Sequence, residues 1–176
     1  MSNFLGLEEE KTGPAPEMDL NRAALDAQVK NGASWFYWIA ALSVINTIIY
    51  MSGSNWAFLA GLGLTQLAGA FVDLAIDNGA PGALKVVAII FNFVLVALFA
   101  LIGYYANKKF SAAFIVGIVI YALDGLLLLL LGVLFSAGFH AFALFFIIRG
   151  FLAARKLNAN RPAEPVQAPP PPPVLV

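Results

Sequence analysis

The stretch that decides the fold is IYALDGLLLLLLGVLFSAGFHAFALFFIIRGF, residues 120–151. It is almost entirely apolar, yet it contains one acid, Asp124, one base, Arg149, and the only histidine of the chain, His140. A helix needs about 20 apolar residues to cross the hydrocarbon core of a bilayer, so the stretch is predicted to hold parts of two membrane helices and the turn that joins them. A charged side chain at that depth needs a partner. These three residues are therefore the first candidates for a site.

The composition of the whole chain agrees with a membrane location. Of its 176 residues, 61% are hydrophobic and 11% are charged, whereas soluble domains carry about 25% charged residues. The net charge of zero gives no sign of a nucleic-acid partner. The absence of cysteine excludes disulfides and thiol chemistry. The polar N-terminus is unlike a cleavable signal peptide, so we expect the first apolar run to remain as an anchor.

Four apolar runs are predicted to be transmembrane helices, namely residues 33–51, 83–106, 110–134 and 139–154. The aromatic cluster SWFYW at 34–38 is typical of the membrane–water interface, as is the pair Tyr104-Tyr105 ahead of Lys108-Lys109. We therefore expect an all-α integral membrane protein built as a helical bundle.

A further run, residues 56–77, is ambiguous. It carries a candidate polar stripe, which consists of Thr65, Gln66, Asp73 and Asp77. The run reads either as a re-entrant or interfacial helix, or as a spanning helix whose stripe packs against its neighbours. A weak similarity between residues 57–69 and 113–125 favours the spanning alternative, which gives five transmembrane helices.

The distribution of basic residues favours four spans. If residues 56–77 do not cross, both termini and the Lys108-Lys109 turn lie together on the cytoplasmic side, and only Lys85 is left near the outer face. With five crossings the basic residues fall on both sides, against the positive-inside rule. The prediction is thus four transmembrane helices plus one membrane-embedded or interfacial helix.

The spans at 33–154 form a transmembrane domain between two tails. Residues 1–32 are predicted to be a cytoplasmic polar tail with a short juxtamembrane helix that stops at Asn31-Gly32. Residues 155–176 are predicted to be a basic and then proline-rich disordered tail. Five consecutive prolines at 169–173 favour polyproline II geometry. Residues 162–176 are accordingly a candidate site for a proline-binding partner.

A candidate ion pair follows from reading residues 110–154 as a hairpin. If the turn lies at Ser136-Ala137, Asp124 and Arg149 are at the same depth, each beside a glycine. We expect an intramembrane Asp124–Arg149 pair that fixes helix register, with a proton relay as the alternative. His140 is then a titratable residue at the outer rim of the bundle.

The sequence offers no catalytic, metal-binding or cofactor-binding motif, so we expect neither an enzyme nor a cofactor. Asn46 and Asn92 are single amides in two of the spans. Such groups usually form hydrogen bonds between helices, and the alternative is that they line a polar path.

Three segments, SWFYWIA, FIVGIVIYALDGL and GFHAFALFFIIRGF, resemble a group of small, uncharacterised bacterial multi-pass membrane proteins. The likeness covers Ala33 to Ala154. It implies a bacterial cytoplasmic membrane location and brings no activity with it.

The function expected from these features is non-enzymatic. We expect an interaction or assembly component of the membrane, in contact with lipid and with another copy of itself or a membrane-protein partner. The alternative is a small oligomeric transporter or channel component that uses the polar residues inside the membrane.

Overall fold

The computed structural model describes residues 16–52 and 61–160. In this part of the chain it contains five helices and no strand: α1 (Pro16–Met51), α2 (Gly63–Asp77), α3 (Leu84–Asn107), α4 (Ser111–Leu130) and α5 (Leu134–Ala159). All except α2 are long and apolar enough to span a membrane. With 15 residues, α2 is about 22 Å long, which is shorter than a hydrocarbon core of about 30 Å. The predicted all-α membrane bundle is confirmed.

The four long helices run antiparallel and bring both ends of the described chain together. Lys109, in the turn between α3 and α4, forms an ion pair with Asp26 of α1. The side-chain amide of Asn158 in α5 donates to the carbonyl oxygen of Lys109 at 3.1 Å. Arg22 donates to the carbonyl oxygen of Asn160 at 3.0 Å. We call this end of the bundle, where residues 16–30, 108–110 and 155–160 lie, the terminal end.

The opposite end, called the far end, holds Met51, the end of α2 and the turn between α4 and α5. There Asp73 of α2 accepts a hydrogen bond from the hydroxyl of Tyr50 at 3.0 Å and lies 3.4 Å from the Lys85 ammonium. The start of α2 lies elsewhere, inside the bundle, where the Leu62 N–H donates to Ser43 Oγ at 3.1 Å. The second helix therefore begins between the other helices and ends at the far end.

The first helix is longer than expected. It passes through Asn31-Gly32 without a break, although a stop was predicted there. The reason is packing against α5: a Cβ added to Gly32 would lie 2.6 Å from the Cα atom of Gly150. The two backbones thus touch, and the tertiary contact outweighs the poor helix propensity of this dipeptide. We call residues 16–30 of α1 together with residues 151–159 of α5 the stalk.

Aromatic side chains fill the middle of the bundle. Phe36 of α1 lies 6.3 Å from Phe99 of α3 and 6.0 Å from Phe114 of α4, measured between ring centroids. Phe99 in turn contacts Tyr121 at 6.1 Å. All four side chains are fully buried, so this column ties three spanning helices together.

Several predictions on the tails and on the second run cannot be compared with the structure. The polar N-terminal residues, residues 56–60 and the candidate proline-binding segment at 162–176 lie outside the described residues.

Glycine-to-alanine substitutions in α5 test the contact between the α1 and α5 backbones. In Gly150→Ala the new methyl group would lie 2.7 Å from Gly32 Cα, and such overpacking costs about 1–3 kcal/mol. Gly138→Ala is the matched control because no atom lies within 4 Å of its added Cβ. Unfolding in detergent should show a less stable Gly150→Ala and an unchanged or more stable Gly138→Ala. Equal stabilities for the two variants would contradict the packing described.

Candidate functional site

Asp124 is the centre of the polar interior. It lies on α4, 6% exposed, and its carboxylate points at the start of α2. Oδ2 accepts a hydrogen bond from the Gly63 N–H at 2.8 Å, and Oδ1 accepts one from the Leu64 N–H at 2.7 Å. These amides belong to the first turn of α2 and have no partner within their own helix. Asp124 therefore caps α2 from another helix, where α2 has no side-chain cap of its own.

His140 of α5 is the third partner of this carboxylate. Its Nε2 lies 2.8 Å from Asp124 Oδ2, and its Nδ1 lies 2.7 Å from the carbonyl oxygen of Ser136. A carbonyl oxygen only accepts, so Nδ1 carries a proton and donates it. The short contact between Nε2 and Oδ2 then requires a second proton, held either by the imidazole or by the carboxyl group. In both cases Asp124 and His140 together have no net charge.

The pair is enclosed by aromatic and small residues. The Tyr121 ring stacks on the His140 imidazole, with 4.3 Å between centroids and 21° between planes. Gly125 makes room for the histidine, since a Cβ there would lie 2.8 Å from His140 Cβ. His140 is only 1% exposed. Water is thus kept away from the contact between Nε2 and Oδ2.

Two more hydroxyl groups complete the start of α2. Ser43 of α1 accepts from the Leu62 N–H and donates its own hydrogen to the Ile39 carbonyl oxygen at 2.9 Å. Thr65 donates to the Leu62 carbonyl oxygen at 2.7 Å. Side chains from α1 and α4 therefore bind the buried end of α2 directly, while α5 acts through His140.

Other buried polar groups are not satisfied in this way. Both amide atoms of Asn46, Oδ1 of Asn92 and the hydroxyl of Tyr121 have no hydrogen-bond partner among the described residues. Asn46 lies directly against Gly61, beside the start of α2. The predicted role of Asn46 and Asn92 in hydrogen bonding between helices is not observed for these atoms.

Apolar grooves lie on both sides of the Asp124–His140 pair. One, of about 250 Å³, reaches Asp124 between α2, α3 and α4 and is otherwise lined by leucine, isoleucine and phenylalanine. The other, of about 430 Å³, reaches His140 between α4 and α5. Apart from Asp124 and His140 themselves, the residues that line the two grooves are apolar.

The expected pair between Asp124 and Arg149 is not formed. Arg149 is exposed, and its guanidinium carbon lies 5.7 Å from the centre of the Phe145 ring. The reason is the position of the turn, which lies at residues 131–133 with Gly132 at φ 77° and not at Ser136-Ala137. His140, which is as far after Gly132 as Asp124 is before it, therefore occupies the place assigned to Arg149. The expectation that His140 lies at the outer rim is corrected by the same shift.

The candidate polar stripe divides into two parts. Thr65 is buried at the start of α2, and Gln66 is half-buried beside it. Asp73 binds Tyr50 and Lys85 near the far end, and Asp77 is exposed there. The stripe thus does not form one continuous polar surface.

Sequence reasoning missed the residues that hold α2. Gly63 and Leu64 bind through their backbone amides, which no side-chain pattern predicts. Ser43 is a single small polar residue in an apolar run, and its role was not predicted. The one available signal was the equal spacing of Asp124 and His140 about Gly132.

Searches of protein-family models, curated proteins and solved structures gave no match to this chain. In the described ranges, no group of three or more histidine or acidic side chains is placed to hold a metal ion. The chemistry that the site itself supports is the holding of one proton and of two backbone amides inside a membrane bundle.

A double-mutant cycle tests the Asp124–His140 contact. Asp124→Ala leaves two amides and an imidazole buried without a partner, so it should destabilise the protein by about 3 kcal/mol. His140→Ala should cost less once Asp124 is already alanine, with a coupling of about 0.5–3 kcal/mol. The measurement is unfolding in detergent of the wild type, both single variants and the double variant.

The matched control for this cycle is Asp124→Ala combined with Arg149→Ala. Because Arg149 does not touch Asp124, the losses in this second cycle should add. Additive losses in the His140 cycle, or coupling in the Arg149 cycle, would contradict the observed pairing.

Proposed function

We propose that this protein is a non-enzymatic component of the membrane that works by binding another protein, either a second copy of itself or a membrane-protein partner. The observation that carries the proposal is the tip of the stalk, residues 18–24. Large apolar side chains are exposed there, with Leu20 at 70% and Met18 at 60% exposure.

The tip lies outside the part of the chain that lipid would cover. The first helix extends for about 25 Å ahead of the aromatic cluster at residues 34–38. From Leu25 onward it packs on α5, through a core that includes Val29, Ala153 and Leu157. Residues 18–24 are all exposed. Apolar side chains in that position face water, and their burial against a partner is favourable.

The polar interior supports the same proposal. The Asp124 carboxylate is occupied by two amides and His140, and the grooves beside the pair are apolar. These groups hold the start of α2 in place. The exposed apolar side chains at the tip of the stalk remain available to a partner.

For the location we propose a bacterial cytoplasmic membrane with both termini in the cytoplasm. The support is the positive-inside rule. Basic residues gather at the terminal end, in the α3–α4 turn and on the stalk, and include Arg22, Lys108, Lys109, Arg155 and Lys156. Lys85 lies at the far end.

A photo-crosslinking residue at position 20 tests the proposed surface. The full chain is expressed in bacterial membranes with a second, differently tagged copy. We expect a crosslink from position 20, either to the tagged copy or to one discrete other protein. We also expect Leu20→Ser to reduce that association at least several-fold, because it removes apolar area from the contact.

The control for this experiment is Ala24→Ser, which lies on the same exposed tip and removes little apolar area. It should leave the association unchanged. The proposal fails if position 20 gives no discrete crosslink, or if Leu20→Ser and Ala24→Ser behave alike.

A second candidate function, a small transporter or channel component, is favoured by one observation. The second helix begins inside the bundle, and the buried amide of Asn46 beside it has no partner among the described residues. Non-helical backbone at membrane depth is found where it is buried in protein or lines a water-filled cavity, and a cavity at Asn46 would be a path for ions or solutes.

Proton flux in proteoliposomes tests this candidate with the substitution Asn46→Leu. If the amide lines a path, flux is present in the wild type and falls in the variant. If the protein has no such path, there is no flux. Asn46→Leu is then as stable as the wild type or more stable, because a buried amide without a partner is unfavourable. Asn158→Leu, at the terminal end, controls for the loss of an amide elsewhere.

A further inference from the structure

Arg149 is a cation on the outer surface of the bundle. It is exposed, and it takes part in none of the ion pairs among the described residues. Its side chain lies over the ring of Phe145, one helical turn nearer the far end. Asp124 and Asp26 are already bound by other groups.

The depth of Arg149 follows from its neighbours on α5. Gly150 touches Gly32 of α1, just ahead of the aromatic cluster at residues 34–38. Asn158 is bonded to the α3–α4 turn and lies about 13 Å along the helix from Arg149. The guanidinium is thus near the border between hydrocarbon and lipid headgroups, where a long arginine side chain can reach the headgroup phosphates.

Aromatic rings continue from Arg149 along the seam between α1 and α5. The Trp35 indole stacks on Phe146 at 5.3 Å and meets the edge of Phe142 at 5.5 Å. Phe142 and Phe145 are 53% and 56% exposed. The surface therefore presents a cation toward the terminal end and an apolar ridge toward the far end. A phospholipid has its charged phosphate and its apolar acyl chains in the same order.

We propose that Arg149 and this aromatic ridge form a binding site for an anionic glycerophospholipid. The lipid phosphate accepts hydrogen bonds from the guanidinium, whose planar fork suits a phosphate, and an acyl chain lies along Phe142 and Phe145. The charge of the terminal end complements the ligand, because its basic residues (Arg22, Lys30, Lys108, Lys109, Arg155 and Lys156) outnumber its acids (Glu17, Asp19 and Asp26). The site is separate from the stalk tip and does not depend on the function proposed for it.

The test compares the full chain in nanodiscs of phosphatidylcholine alone with nanodiscs that also contain phosphatidylglycerol. Phosphatidylglycerol should raise the unfolding temperature of the wild type, and native mass spectrometry should show retained phosphatidylglycerol. In Arg149→Gln both effects should be lost. Arg149→Lys should keep part of them, since the charge remains and the fork is gone. Substitution at this exposed position leaves the buried contacts in place, so the variants should fold.

Arg155→Gln is the matched control, because Arg155 is also exposed, also on α5 and also near an aromatic ring. It should retain the phosphatidylglycerol effect. The proposal is overturned if Arg149→Gln keeps the full effect, or if Arg155→Gln loses as much, which would indicate diffuse attraction to charge. It is also overturned if inorganic phosphate added to phosphatidylcholine nanodiscs reproduces the stabilisation, since the ligand would then be a free anion.

Discussion

The contact between the Asp124 carboxylate and the first amides of α2 is the constraint on which the rest of the structure depends. A helix that begins inside a membrane bundle has N–H groups that find no water. In this protein those of Gly63 and Leu64 donate to Asp124, and that of Leu62 donates to Ser43. The second helix can therefore begin inside the bundle without leaving these amides unsatisfied.

The same contact also stabilises the acid. A carboxylate in an apolar interior is strongly unfavourable unless its charge is compensated. Here it meets the positive end of the α2 dipole and an imidazole with which it holds one proton. Two groups that would each be unfavourable alone, a buried acid and a buried helix start, thus offset one another. This mutual stabilisation explains how an aspartate can be buried in a segment that is otherwise rich in leucine.

The sequence predicted those parts of the fold that depend on local properties. Length and hydropathy were enough to predict the four long helices. The distribution of lysine and arginine was enough to predict that residues 56–77 do not form a fifth spanning helix. The partner of Asp124 depended instead on where the chain turns. The run of leucines ahead of Gly132 includes no polar residue that would mark the turn. When the assumed centre of the turn is wrong by one residue, the residue predicted to face Asp124 is wrong by two. The continuity of α1 through Gly32 was equally hidden, because it depends on Gly150, which is far away in the chain.

The position of Gly132 between Asp124 and His140 has a consequence for how the chain enters the membrane. The two residues are close in sequence and face each other across a tight turn, so the α4–α5 hairpin can neutralise its own acid before any other helix arrives. Contacts between residues close in sequence form early because little chain has to be ordered to make them. The hairpin can thus insert as an uncharged unit at its centre, and its carboxylate is then already in place when the start of α2 docks. The α4–α5 hairpin is thus the part of the bundle whose central polar contact needs no other helix to form.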